Sequence, residues 1–319
     1  NRTSYQTSAY DDLGRLYRSE VYGVDASGNT SNPQVSNRYY NETGLIARDA
    51  PAGSKLFTAT TYDAVGRSKL ISQAYEPSGY TAGTDPSALT NAVVLTQQEM
   101  FWDAAGNLTS TTSKQRFDTA TGNGNLGNPT TEPKARVSYQ ASYPDALGRS
   151  IANADYGTNG GASWSRPQTV PGRSDTVLVS SSTYNTAGDL ATTTDSASIV
   201  TANTHDHAGR LTITVENSTG GSGNTRTTRY SYTDDNGLKR LISDNPDTGS
   251  QVTIWTRGVT TSQGSRINSN RLVYQKTLPG GDTATYLYNR QSQATGMSDP
   301  AGTVHAYSFD KLGRPVADT

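Results

Sequence analysis

The chain has 319 residues, and its 27 Lys and Arg are interspersed with 28 Asp and Glu to a net charge of -1, so no field draws it toward nucleic acid or anionic lipid. Only 48 residues are Leu, Ile, Val or Phe, a small aliphatic share for a packed globule, while 19 Tyr and 3 Trp offer large amphipathic surfaces to bury. The absence of Cys excludes a disulfide framework, zinc-thiolate sites and thiol catalysis.

Thr, Ser, Tyr, Asn and Gly dominate, and no window rich in Ala, Glu, Lys, Leu and Arg follows a 3.6-residue period, so strands and tight turns are expected rather than long helices. No apolar run approaches the roughly 18 residues of a membrane span. The opening "NRTSYQTSAY" is not a signal peptide, and a chain that starts at Asn1 without Met reads as a fragment of a longer protein.

In chain order one element keeps returning: "SAYDDLGRLYR" from Ser8, "TTYDAVGRSKL" from Thr60, "MFWDAAGNLTS" from Met100, "NTHDHAGRLTI" from Asn203 and "YSFDKLGRPVA" from Tyr307. Aligned on the aromatic position, ten copies begin at Tyr10, Tyr40, Tyr62, Trp102, Tyr143, Tyr184, His205, Tyr232, Tyr288 and Phe309. Their separations of 30, 22, 40, 41, 41, 21, 27, 56 and 21 residues predict a unit of about 21, with inserted loops or decayed copies in the longer gaps. One repeat region over 1–319 is therefore expected.

The motif has a physical logic. In "YDAVGR" Asp63 takes the first position of a four-residue turn and Gly66 the last, where an acidic side chain accepts backbone N–H groups and glycine tolerates positive φ. The same roles fall to Asp11 and Gly14, Asp103 and Gly106, Asp206 and Gly209, and Asp310 and Gly313. Flanking strands follow from "RLTITVEN", where Leu211, Ile213 and Val215 alternate with Thr212, Thr214 and Glu216. The aromatic before each turn and the arginine after it (Arg15, Arg67, Arg210, Arg314) are placed to stack on a neighbouring ring or pair with the Asp, building ladders between copies. Some copies depart: Pro144 is extra after Tyr143, "TDDNG" is longer after Tyr232, Leu45 and Asp189 replace Arg, and "YNRQSQ" has no Gly. These departures suggest that the turn is required and the Arg dispensable.

These residues resemble the YD-repeat family, whose Y-D-x-x-G-R motif is matched by "YDDLGRL", "YDAVGRS" and "FDKLGRP". The resemblance spans essentially the whole chain and implies a hairpin ribbon that spirals into a shell or tube. Bacterial rearrangement-hotspot proteins and Tc toxin cocoons use such a shell to enclose a toxic polypeptide, and animal teneurins use a related barrel in adhesion. It further implies a secreted or cell-surface protein of bacterial origin, with flanking repeats or an enclosed polypeptide as partners. No cofactor is expected.

Other constellations carry weaker chemistry. "DPAG" at Asp299, Pro300, Ala301 and Gly302 is similar to the family's D-P-x-G self-cleavage segment, but Asp-Pro and Ala-Gly are turn dipeptides and an ordinary repeat follows, so a turn and no enzyme are expected. "GNGNLG" at Gly122–Gly127 lacks the strand and helix of a dinucleotide site. His205 and His207 would share a strand face, yet His205 fills the aromatic position and no further ligand joins them; His305 lies apart. The pairs Asp234 with Asp235 and Asp244 with Asp247 do not match a calcium loop. Asn1, Asn29, Asn41, Asn107 and Asn217 lie in glycosylation sequons. Exposed Tyr and Trp, including Trp164 and Trp255, make an adhesive or carbohydrate-binding surface the alternative reading.

Overall fold

A computed structural model describes residues 4–25, 27–76, 85–221, 224–245 and 249–319. Within them the chain is all-β, with twenty-two strands and two single-turn 3-10 segments. Parts of the inserted segments after Glu76 and Asn217, and the expectations resting on Asn1 and Asp247, lie outside the described residues.

The chain divides into two compact units, 1–179 and 180–319. In the first, β1 (Ser4–Tyr10), β2 (Leu16–Gly23), β3 (Gln34–Tyr40), β4 (Ile46–Ala50) and β5 (Leu56–Tyr62) lead into β6 (Ser68–Tyr75), β7 (Val93–Trp102), β8 (Leu108–Arg116), β9 (Ala135–Pro144) and β10 (Ser150–Gly157). Each pairs antiparallel with its neighbour in sequence.

The second unit takes over within β11 (Leu178–Tyr184). It continues through β12 (Leu190–Thr194), β13 (Val200–His205), β14 (Leu211–Glu216), β15 (Arg226–Tyr232), β16 (Leu238–Asn245) and β17 (Gly249–Val259). It ends with β18 (Ser269–Thr277), β19 (Thr283–Tyr288), β20 (Ala294–Ser298), β21 (Val304–Phe309) and β22 (Pro315–Asp318). Here too pairing is antiparallel between sequence neighbours.

The core is small and lies under the long insertions. Phe57, Ala59, Ala74, Val94 and Ala135 on the strands pack with Leu89, Ala92 and Leu126 from the segments that follow β6 and β8. A second cluster joins Ala141, Tyr143, Ala152, Ala154, Tyr156 and Val179, with Trp164 from the segment after β10 packed against it. Alternation along β9 and β10 explains it: residues two apart share a face, and here that face carries the apolar side chains. The opposite face of β6–β9 is polar, with cross-strand rows such as Gln98, Ser113 and Ser138.

Every repeat hairpin also carries a bulge. The register slips by one residue beside the pair made by the residue that precedes the turn, the aromatic in nine copies and Pro144 in the tenth, leaving Tyr17, Lys69, Thr109, Thr212 and their equivalents as the extra residue of the returning strand. At Thr109 and Thr212 the hydroxyl donates to the facing carbonyl of Phe101 or Thr204, each at 3.0 Å. The side chain thus satisfies an acceptor beside the interrupted ladder.

Candidate functional site

The repeat turn is a five-residue device. Asp63 N–H donates to the Arg67 carbonyl at 2.9 Å and Gly66 N–H to the Asp63 carbonyl at 3.1 Å, closing a turn with one residue in the left-handed region. Gly66 holds φ +88, which an L side chain rarely adopts. Asp63 Oδ1 accepts from the N–H groups of Val65 (3.0 Å) and Arg67 (2.9 Å), and its Oδ2 accepts from Arg67 Nε at 2.6 Å. Asp11, Asp145, Asp206 and Asp310 repeat these bonds with Arg15, Arg149, Arg210 and Arg314.

Three departures from the motif keep the bonding and change the donor. Asn107 replaces Arg and donates Nδ2 to Asp103 Oδ2 at 2.9 Å. In "YNTAGD" the roles reverse, with Asn185 Nδ2 donating to Asp189 Oδ2 at 3.1 Å. Asn289 and Gln293 make the equivalent bond at 2.8 Å, and Ser292, with φ 64, stands in for the glycine. After Tyr232 the turn is not longer, contrary to the sequence expectation: it begins at Thr233, Asn236 adopts φ 68 in the glycine's place and Gly237 occupies the arginine position.

Successive turns are bonded to one another. Tyr40 donates its hydroxyl to the Leu16 carbonyl, Tyr62 to Ile46 and Tyr232 to Leu211, each at 2.8 Å, and Trp102 Nε1 donates to Ser68 at 2.9 Å. In every case the acceptor directly follows the arginine position of the preceding copy. The guanidinium carbons of Arg15, Arg67 and Arg210 lie 4.4, 5.5 and 4.8 Å from the ring centroids of Tyr40, Trp102 and Tyr232. Arg67 and Arg210 also reach the next turn through Nη1, at the carbonyls of Asp103 (3.1 Å) and Thr233 (3.3 Å). Turn glycines accommodate the preceding copy: a Cβ on Gly44 would stand 3.1 Å from Arg15 Nη1, and one on Gly148 2.9 Å from Asn107 Oδ1.

These contacts set the electrostatics. Backbone N–H donation from the residue four positions on, followed by the guanidinium bond, holds Asp206 and Asp310 below the usual carboxylate range. Asp11 is lowered by the same N–H bond against an opposing burial effect. For Asp103 the Asn107 amide is the first cause, and for Asp145 the Arg149 side chain.

Several sequence expectations need correction. Tyr143 does not stand in the ladder: the turn starts at Asp145, Pro144 pairs with Ser150 as Tyr62 pairs with Ser68, and Tyr143 turns to the covered face, where its hydroxyl lies 3.4 Å from that of Tyr156. One inserted residue moves a side chain to the other face of a strand. The arginine is absent without replacement at Leu45. At Gly237, however, another takes its place: Arg257 Nε lies 2.5 Å from where a Cβ would be, and its Nη2 donates to Leu238 at 3.4 Å, the acceptor that a tyrosine would use. Trp164 is no open platform, because Tyr139 and Tyr156 pack on it at 5.2 and 5.0 Å, and Trp255 is half-buried with Lys276 5.7 Å from its ring. His207 lies in a turn, so strand alternation does not relate it to His205.

The remaining candidates fall in turns and loops. Asp299–Gly302 forms a turn with the repeat's bonding, Asp299 N–H to the Thr303 carbonyl at 2.9 Å and Gly302 N–H to Asp299 at 3.0 Å. Asp25, Asp195 and Leu278 start similar turns between strand pairs that lack the aromatic, and the sequence reading missed these. "VDASGN" carries the same Asp and Gly signal without the ring. "GNGNLG" is a connection whose Gly124 bonds Ala92 and whose Leu126 N–H donates to Gln97 Oε1 at 2.6 Å. Among the described residues no group of three His, Asp or Glu is placed to hold a metal, and no helix is long and apolar enough to cross a membrane.

No protein-family model matches this chain, and no curated protein does. Solved structures do align with it. The crystal structure of TcdB2-TccC3-TEV matches 98% of this chain and 19% of its own at 14% identity, with a TM-score of 0.40. The Tc holotoxin pore of Photorhabdus luminescens matches 97% and 19% at 13% identity, with a TM-score of 0.38. A porin-like protein from Bacteroides uniformis matches 83% and 92% at 13% identity, with a TM-score of 0.21. The chain thus spans about a fifth of the length of the first two.

Proposed function

We propose that this chain is a stretch of YD-repeat wall, an architectural part of a large secreted or surface protein of bacterial origin that encloses or presents another polypeptide. The observation that carries the reading is the turn-to-turn ladder, in which the arginine of one copy meets the ring and turn carbonyl of the next. Such a unit can be extended by repetition, because a copy that keeps the motif offers its neighbours the same acceptor and the same ring face. Small cores confined beneath the insertions suit a wall one sheet thick. In this reading the partners are flanking repeats or an enclosed polypeptide of the same protein, and the segment itself is not an enzyme.

Electron microscopy of the native full-length particle tests it. A hollow object with internal density is expected, whereas an open fibre, or a longer chain that is protease-sensitive throughout, would sink the enclosure role. Intact mass after prolonged incubation, with an Asp299→Asn control, tests the non-enzymatic assignment. Cleavage at Asp299 that the substitution abolishes would overturn it.

A further inference from the structure

Tyr5 of β1 and Tyr22 of β2 stand directly opposite each other in the first hairpin. Their rings stack, with centroids 4.6 Å apart and planes within 3° of parallel. Residues two apart share a face of a strand, so the Thr7 and Glu20 pair continues the same row. Glu20 reaches back along its own strand, where the Tyr22 hydroxyl donates to its Oε2 at 2.6 Å. Arg18 Nε donates to the other oxygen at 2.8 Å and Thr7 Oγ1 to Oε2 at 3.3 Å, which fixes the carboxylate beside the phenol.

This arrangement differs from the tyrosines of the ladder. Tyr40, Tyr62 and Tyr232 give their hydroxyls to backbone carbonyls, which are poor bases, whereas Tyr22 gives its hydroxyl to a carboxylate. The bond from Tyr22, then that from Arg18, holds Glu20 below the usual carboxylate range, so it is ionised while the phenol beside it is kept protonated by the same bond. Loss of an electron makes a phenol strongly acidic, and a base already hydrogen-bonded to it takes the proton without rearrangement. Tyr5 and Tyr22 are both half-buried, open enough for a small oxidant to reach. Two rings held face to face also convert an encounter between separate radicals into a step within one site.

We propose that Tyr5 and Tyr22 are an oxidative cross-linking site, with Glu20 as proton acceptor, at which a peroxidase-type oxidant using hydrogen peroxide joins the two rings as dityrosine. Tyr22 loses an electron as its phenolic proton passes to Glu20 and on to water, and Tyr5 loses a second electron with its phenolic proton to water. The two phenoxyl radicals form one C–C bond between ring carbons adjacent to those bearing the oxygens. The hydrogens on the newly bonded carbons then move to the oxygens, restoring both phenols. One hydrogen peroxide takes up the two electrons and two protons and leaves as two waters. The product is a covalent stitch between β1 and β2.

The test exposes the full chain at low concentration to a haem peroxidase and hydrogen peroxide, and follows dityrosine fluorescence with the masses of digested peptides. Joined peptides containing Tyr5 and Tyr22, lighter than their sum by two hydrogen atoms, are expected from the monomer, and Tyr5→Phe or Tyr22→Phe should abolish them. Glu20→Gln keeps an oxygen that accepts from Tyr22 but is a poor base, so it should slow the coupling roughly tenfold or more while β1 and β2 keep their amide protection. Once the bond forms, exchange of β1 and β2 amides should slow at least tenfold. Absence of a Tyr5–Tyr22 product in the monomer overturns the proposal, as does coupling through the more exposed Tyr10 or Tyr17 instead, or exchange unchanged by the bond. An equal rate in Glu20→Gln, or a slower one accompanied by lost protection, overturns the proton-acceptor role, because the residue would then only hold the hairpin.

Discussion

Arg67 and Trp102 belong to different turns, 35 residues apart in sequence, yet the guanidinium carbon lies 5.5 Å from the indole ring centroid and Nη1 donates to the neighbouring Asp103 carbonyl at 3.1 Å. One side chain therefore closes its own turn through Asp63 and fastens the next. Removing it should weaken two hairpins at once.

Arg67→Ala is expected to cost about 1 kcal/mol, the scale of a partly exposed cation–π contact with its hydrogen bonds. Arg67→Lys should recover less than half, since an ammonium keeps the charge but cannot fork between Asp63 and Asp103. Hydrogen exchange of β5–β8 amides, read locally because long repeat arrays need not unfold in one step, checks both. Equal stability of the Ala variant would remove the ladder as a source of cohesion.

Tyr62→Phe leaves the Ile46 carbonyl without its 2.8 Å donor and should cost about 1 kcal/mol. Tyr10→Phe, at a side chain 60% exposed, should change stability by less than about 0.5 kcal/mol. Denaturant melts of the two variants compare them directly.

Gly14 and Gly148 hold similar positive φ values, 75 and 79, so Ala at either carries the same backbone cost of about 1 kcal/mol. Only at Gly148 would the new Cβ approach Asn107 Oδ1, at 2.9 Å, while nothing lies within 4 Å at Gly14. Gly148→Ala should therefore be the more damaging, and Asn107→Ala in the same chain should narrow the difference. A double-mutant cycle measures that coupling.

Asp63→Asn should be tolerated far better than Asp63→Ala, because an amide oxygen still accepts the two backbone N–H groups, as Asn41 does for Thr43 and Leu45. A thermal melt ranks the pair against the parent chain. Ala as benign as Asn would show that the side-chain acceptor contributes nothing to the turn.

The turn carboxylates also set the response to acid. Asp11, Asp206 and Asp310 are held below their ordinary value in the folded chain, so the stability they contribute is present above the unfolded carboxylate range near 4 and is lost as pH falls through the lower folded values. Thermal melts should be level above about pH 5 and decline below it. Hairpins starting at Asn41 and Asn289, whose turns are closed through amide oxygens, should open last on this account. Exchange mass spectrometry across the pH series reads the order.

The sequence by itself determined the all-β class and, where Asp, Gly and Arg are all kept, the place and bonding of the turn, because the bonds that close a turn join residues no more than four apart. Asp63, Gly66 and Arg67 could be assigned their places without knowing what lies beside them. The 56-residue gap before Tyr288 was legible only as an anomaly; the structure shows β17 and β18 inside it, with Arg257 reaching the Leu238 carbonyl in the manner of a ladder tyrosine. Tertiary structure alone decided the bulge beside every repeat turn, the face chosen by Tyr143 and the packing of Trp164 against Tyr139 and Tyr156. Each depends on which strands pair and in what register, and a shift of one residue reverses the face of every side chain that follows.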